Sequence, residues 1–152
     1  MGRNAGNKLR IFLDSSVVLA ACMSGTGASH QVFRLAGFQN WVLLVSPWVL
    51  REVRFNLANK QQQSILTWAT LSRLLEIEDD ELTFDWPVTF EKSKDKPVLF
   101  SALACADVLL TLDRRDFGEL LGKHLYGMRV LTPGEFLRIE RETGNLRPTP
   151  GL

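Results

Sequence analysis

The chain has 152 residues, enough for one domain with a sizeable core, and its 45% apolar and 23% charged content are those of a soluble globular protein. A formal net charge of +1 excludes a global electrostatic bias toward nucleic acid or membrane and leaves local patches to decide. No apolar stretch approaches the roughly 20 residues that span a bilayer, and Asp14 interrupts the only early apolar run, so neither a membrane span nor a signal peptide is expected and a cytoplasmic location follows.

Residues 1–8 are polar and read as a flexible arm. Leu9 to Asp14 reads as a short buried strand closed by a carboxylate, and Val17 to Met23 as a short helix capped by Ser15 or Ser16. A loop at Ser24-Gly25-Thr26-Gly27 precedes a helix over Ser29 to Phe38, where Val32, Phe33, Leu35 and Ala36 fall at helical spacing. Trp41 to Val45 is a continuous apolar run of strand length. Ser46-Pro47 then provides a cap and a first-turn proline for a helix through Trp48, Val49, Leu50, Val53 and Leu57. Gln61 to Leu75 reads as another amphipathic helix.

Leu82 to Val88 is expected as an edge strand broken by Pro87. A helix over Val98 to Ala106 leads through Asp107 into the apolar run Val108 to Leu112, closed by Asp113. Asp116 to Gly122 reads as a short helix and Met128 to Leu131 as the last strand. Thr132-Pro133-Gly134-Glu135 is a capping box for a helix through Phe136, Leu137 and Ile139. Residues 141–152 read as a flexible tail, which leaves one domain over 9–140. Strands alternating with helices imply a three-layer α/β/α architecture around a mostly parallel sheet. Cys22 and Cys105 lie in apolar segments with no CxxC pattern or neighbouring histidine, so they read as reduced core thiols.

Two apolar strands thus end in an aspartate, Asp14 and Asp113. In a parallel sheet the carboxyl ends of the strands share one edge, where ligands bind in α/β folds. Asp95 stands at the start of the helix that leads into the second of these strands, which returns it to the same edge. Glu52 lies early in the helix that leaves that edge after Val45. Each acid alone has an ordinary explanation: Asp14 and Asp113 as strand terminators, Asp95 as a cap, Glu52 as part of a solvated face, Asp107 and Asp116 as a turn and a cap. Their convergence does not. Clustered carboxylates repel, and either raised pKa values or a divalent cation must neutralise them; oxygen donors suit Mg²⁺ or Mn²⁺.

These segments resemble the PIN-domain ribonucleases, among them the toxins of VapBC-type toxin–antitoxin pairs. The resemblance rests on Phe12-Leu13-Asp14-Ser15-Ser16-Val17, on Ser46-Pro47 with Glu52, on Asp95 followed eighteen residues later by Asp113 of Leu110-Thr111-Leu112-Asp113, and on Val130-Leu131-Thr132-Pro133-Gly134-Glu135-Phe136-Leu137. It covers about residues 9 to 140 and is nearest to a toxin-like subgroup. It implies metal-dependent hydrolysis of RNA phosphodiesters, with Asp14, Glu52, Asp95 and Asp113 as catalytic acids and Asp14, Asp95 and Asp113 as ligands of Mg²⁺ or Mn²⁺. Ser15, Ser16 and Thr111 would support the site through their hydroxyls, and Asp116 would be a peripheral acid.

The family often has Asn at the second position after the first Asp; here that position is Ser16, whose hydroxyl keeps a hydrogen-bonding role. Arg51, Arg54, Lys94, Lys96, Arg114 and Arg115 flank the acids and are candidates to hold the RNA backbone. Trp48 and Phe117 are candidate stacking surfaces, with core packing as the plainer reading. The expected partners are RNA and an antitoxin protein, with a homodimer through Trp68, Leu71 and Leu75 left open. A haloacid-dehalogenase-type phosphatase needs a second Asp where Ser16 stands, which excludes it. The rival readings are a non-catalytic RNA- or protein-binding module and an RNA-processing nuclease that is not a toxin.

Overall fold

In the computed structural model, which describes residues 7–90 and 93–148, the apolar runs form six strands. They are β1 (Leu9–Leu13), β2 (Trp41–Val45), β3 (Leu75–Ile77), β4 (Val108–Leu110), β5 (His124–Leu125) and β6 (Met128–Leu131), in the spatial order β3-β2-β1-β4-β6-β5. Every pairing is parallel except β5 with β6. The three central strands are continuous apolar runs because both sheet faces are covered, and Arg10 is their one half-buried residue.

The helices are α1 (Ser15–Met23), α2 (Ala28–Gln39), α3 (Pro47–Leu57), α4 (Gln62–Leu71), α5 (Lys96–Cys105), α6 (Arg114–Phe117) and α7 (Pro133–Glu142). The chain leaves β1 toward β2 and β3, then returns to the other side of β1 to add β4 and β6. Right-handed crossovers therefore put α1 to α4 on one face and α5 on the other, and α7 packs on α2. This is the expected three-layer arrangement. Its topological switch point lies between β1 and β4, and a crevice opens there outside the carboxyl ends of these strands. The Asp14 backbone N–H donates to Leu110 O at 3.0 Å, which carries the pairing of β1 and β4 up to that crevice.

Several expectations about local structure need correction. The stretch 82–88 is not a strand; the edge strand on that side of the sheet is β3, which begins at Leu75, the last residue of the expected preceding helix. Three residues of alternating Leu-Glu-Ile are too few to show a period. The hairpin of β5 with β6 was not foreseen, although Tyr126 (φ 50°) and Gly127 (φ 84°) make the two-residue left-handed turn that such hairpins favour. The cap of α1 is Asp14 rather than either serine, because its side chain accepts the Ser15 N–H. Ser46 precedes α3 without a side-chain capping bond. The short helix after β4 starts at Arg114, because Asp113 caps it, and runs only to Phe117.

Residues 1–6 of the expected arm and 149–152 of the expected tail lie outside the described residues. The chain after Thr143 is tied to α2: Gln39 Nε2 donates to Arg147 O at 2.8 Å, and the Arg147 N–H donates back to Gln39 Oε1 at 2.6 Å. Both cysteines are free; burial pushes the Cys22 thiol up to about 11 and raises that of Cys105. No helix among the described residues is long and apolar enough to cross a membrane.

Candidate metal centre

Asp14 sits at the switch point, buried, with its backbone extended between β1 and α1. Its Oδ1 accepts the Ser15 N–H at 2.9 Å, and its Oδ2 accepts the hydroxyls of Ser16 at 2.7 Å and Thr111 at 2.8 Å. Both hydroxyl oxygens are also acceptors: Ser16 Oγ takes the Leu112 N–H at 3.1 Å and Thr111 Oγ1 takes the Asp113 N–H at 3.0 Å. The segment after β4 is thus fastened to the segment after β1 through one carboxylate. Burial raises the pKa of Asp14; the hydroxyls of Ser16 and Thr111 oppose the rise and the nearby Glu52 adds to it.

Asp113 caps α6 through Oδ1, which accepts the N–H groups of Arg115 and Asp116, both at 3.0 Å. That geometry turns the chain so that Asp116, one turn on, comes beside Asp113. Asp95 reaches the same place from the other side, at the junction of a 3₁₀ turn (Ser93–Asp95) with α5. Carboxylate oxygens of Asp95, Asp113 and Asp116 all lie within 4.8 Å of one another. Asp95 is only 6% exposed, and its Oδ2 is buried with no hydrogen-bond partner. Its pKa is pushed up to about 7, first by burial, then by a hydrogen bond with the Asp116 carboxyl, then by the charges of Asp116, Asp14 and Asp113. Asp95 thus feels the negative charge of the other three acids, and a proton or a cation relieves that repulsion.

Glu52 joins this cluster indirectly. Ser15 Oγ donates to Glu52 Oε2 at 2.9 Å, while Oε1 is buried without a partner. Two acids, Asp95 and Glu52, therefore each keep one buried oxygen without a hydrogen-bond partner. Leaving such oxygens bare is costly, and a cation with its water shell would satisfy them. Octahedral Mg²⁺ with ligands at about 2.1 Å sets its donor oxygens about 3 to 4 Å apart, a spacing that three oxygens within 4.8 Å of one another accommodate with small side-chain adjustments. The donor set, all carboxylate oxygen, suits Mg²⁺ or Mn²⁺.

The acids expected to converge stand at one sheet edge, with a different grouping from the expected one. Asp116, expected at the periphery, belongs to the tight triad with Asp95 and Asp113, and Asp14 stands outside that triad. The signal for Asp116 was its spacing: three residues after a capping Asp, it falls on the same side of the first turn. Asp107 is at the opposite edge, where its Oδ2 accepts the Arg10 N–H at 2.9 Å. Among the flanking cations, Arg51, Arg54, Lys94, Arg114 and Arg115 are exposed and Lys96 is half-buried. Phe117 is fully buried and offers no stacking surface. Trp48 is half-buried, and the Arg51 guanidinium lies 5.8 Å from its ring centroid. Leu71 is buried in the core, so it takes no part in a dimer face.

Residues 10–115 match the PIN domain family. The chain belongs to it. Solved structures share the fold. A chain of the VapBC2 complex from Rickettsia felis, bound to a DNA fragment from its promoter, superposes with a TM-score of 0.56 at 13% identity, covering 82% of this chain and 98% of that one. A chain of DNA-bound VapBC from Salmonella typhimurium gives a TM-score of 0.51 at 16% identity, with the same shares of 82% and 98%. No curated protein matches the chain.

Proposed function

We propose that this PIN domain is a ribonuclease dependent on Mg²⁺ or Mn²⁺ and that it acts as the toxin of a toxin–antitoxin pair. The observation that carries the nuclease reading is the shared crevice of Asp95, Asp113 and Asp116, bordered by Asp14 and Glu52, with two buried acid oxygens unpartnered. Asp95, Asp113 and Asp116 would hold the cation, with Asp14 completing the negative field beside them. A divalent cation there would stabilise charge on the scissile phosphate and acidify the attacking water.

The chain's own residues supply the rest. Ser15 anchors one oxygen of Glu52 and leaves the other to orient the water and accept its proton. Ser16 and Thr111 keep Asp14 in one rotamer, so the acids are pre-positioned rather than gathered on binding. Arg114 and Arg115 on α6, and Lys94 and Lys96 beside Asp95 in sequence, would offset phosphate charge. The toxin reading is supported by the likeness to chains of VapBC complexes, and it implies an antitoxin protein as partner.

The test is cleavage of single-stranded RNA with Mn²⁺ or Mg²⁺, with and without EDTA, beside Asp14→Asn and Asp113→Asn. Cleavage that EDTA and both substitutions abolish supports the reading. Equal cleavage by the variants would point to a contaminating nuclease, and RNA binding without cleavage by any form would favour a non-catalytic module. Growth arrest on expression, relieved by a co-expressed neighbouring small open reading frame, separates a toxin from a processing nuclease.

A further inference from the structure

We propose that the groove between α3 and the end of β3 is a subsite for single-stranded RNA, in which Phe55 stacks on an unpaired base and Arg51 and Arg54 hold the adjoining phosphates. This inference rests on the ribonuclease reading and names the form of RNA that the site accepts.

The groove is lined by Pro47, Leu50, Arg51, Arg54, Phe55 and Ile77. Pro47 directly follows β2 and Ile77 closes β3, so the groove opens at the same sheet edge as the carboxylates. The two share α3: Glu52 is flanked in sequence by Arg51, and Phe55 lies three residues beyond it, about 4.5 Å along the helix axis. Phe55 is 80% exposed and Ile77 is 62% exposed. A phenyl ring this bare on the polar side of a helix makes no contribution to the core, yet it offers a flat face to a ligand.

Charge separates the possible occupants. The lining holds two guanidinium groups and no carboxylate, and neither arginine has a carboxylate partner among the described residues. Arg51 and Arg54 are one turn apart, and Arg51 and Phe55 are also one turn apart, so all three share one side of α3. Cations beside a bare aromatic ring are the elements of single-strand recognition, where bases stack and phosphates are neutralised. A duplex keeps its bases stacked on one another and gives Phe55 nothing to hold. The crevice of acids repels phosphate until a cation is bound, so an adjacent positive groove also explains how RNA is retained beside it.

The experiment measures binding separately from cleavage. Fluorescein-labelled oligouridine is titrated with the full chain in EDTA, as the single strand and annealed to oligoadenosine, and anisotropy is recorded over a range of salt. Phe55→Ala is expected to weaken single-strand binding about tenfold and Phe55→Trp to preserve it. Arg51→Ala and Arg54→Ala should each flatten the slope of log affinity against log salt by about 0.7. Duplex binding should be weaker and indifferent to Phe55→Ala. Single-strand affinity unchanged in Phe55→Ala overturns the proposal, and if that variant instead loses self-association or antitoxin binding, the groove is a protein-docking face. When the groove variants bind normally while Asp113→Asn still abolishes cleavage, the subsite fails and the nuclease stands. Absence of RNA binding and cleavage by the unmodified chain removes both.

Discussion

Thr111 donates its hydroxyl to Asp14 Oδ2 at 2.8 Å, and Thr111 Oγ1 itself accepts the Asp113 N–H at 3.0 Å. One fully buried hydroxyl therefore ties the acid after β1 to the acid after β4. Thr111→Val keeps the shape but removes both bonds. A buried carboxylate then loses one of two hydroxyl donors and a backbone N–H loses its acceptor. The expected cost is about 1 to 3 kcal/mol in urea denaturation. Thr111→Ser restores both bonds and should recover most of it.

Asp113 has two roles that substitution can separate. As the cap of α6 it needs only an acceptor oxygen, which Asn also provides. As a member of the acidic triad it needs its charge. Asp113→Asn should therefore fold, match or exceed the wild-type melting temperature in EDTA because one repelling charge is gone, and lose cleavage. Asp113→Ala loses the cap as well, at an expected cost of about 1 kcal/mol. If both variants melt alike in EDTA, the capping bonds contribute nothing measurable.

Much of this site is legible in the sequence because topology is. An apolar run closed by a carboxylate marks a strand end, and parallel strands bring such ends together; Asp14 and Asp113 follow from that, and Asp95 from its place at the start of the helix that leads into β4. Asp116 was harder to place because its position depends on where α6 begins, and that is set by the Asp113 cap rather than by any hydrophobic period. The same weakness hid β3 and β5, whose three and two residues carry no periodic signal and exist because a neighbouring strand offers its edge. Phe55 stood out even less: a single aromatic on a helix reads as core until its exposure is known.

The protonation of Asp95 gives stability a pH dependence. Its carboxyl is pushed up to about 7 from an ordinary 3.8, chiefly by burial. Between these values the folded protein holds a proton that the unfolded chain has released, so folding stability falls as pH rises through this window and levels off above it. Burial shifts Asp14 in the same direction. Without metal, the melting temperature should decline from about pH 4 to pH 7. Asp95→Asn should remove most of that decline. Saturating Mn²⁺ should also remove it, because a bound cation takes over the proton's role. A flat profile in the metal-free protein would show that Asp95 is neither buried nor confronted by the other acids in solution.

The Ser16 hydroxyl bridges Asp14 Oδ2 at 2.7 Å to the Leu112 N–H at 3.1 Å. It thus repeats the pattern of Thr111, holding the backbone N–H one residue earlier in the segment after β4. Ser16→Ala leaves Asp14 with Thr111 as its only hydroxyl donor and releases the Leu112 N–H. Ser16 is half-buried and Leu112 is exposed, so water can replace part of what is lost. The expected destabilisation is about 1 kcal/mol, less than for Thr111→Val. The effect on catalysis should be larger than that figure implies, because Asp14 is freed to rotate beside the metal site. Turnover should drop about tenfold or more with RNA affinity in EDTA unchanged. A loss of affinity with turnover preserved would instead assign Ser16 to RNA binding.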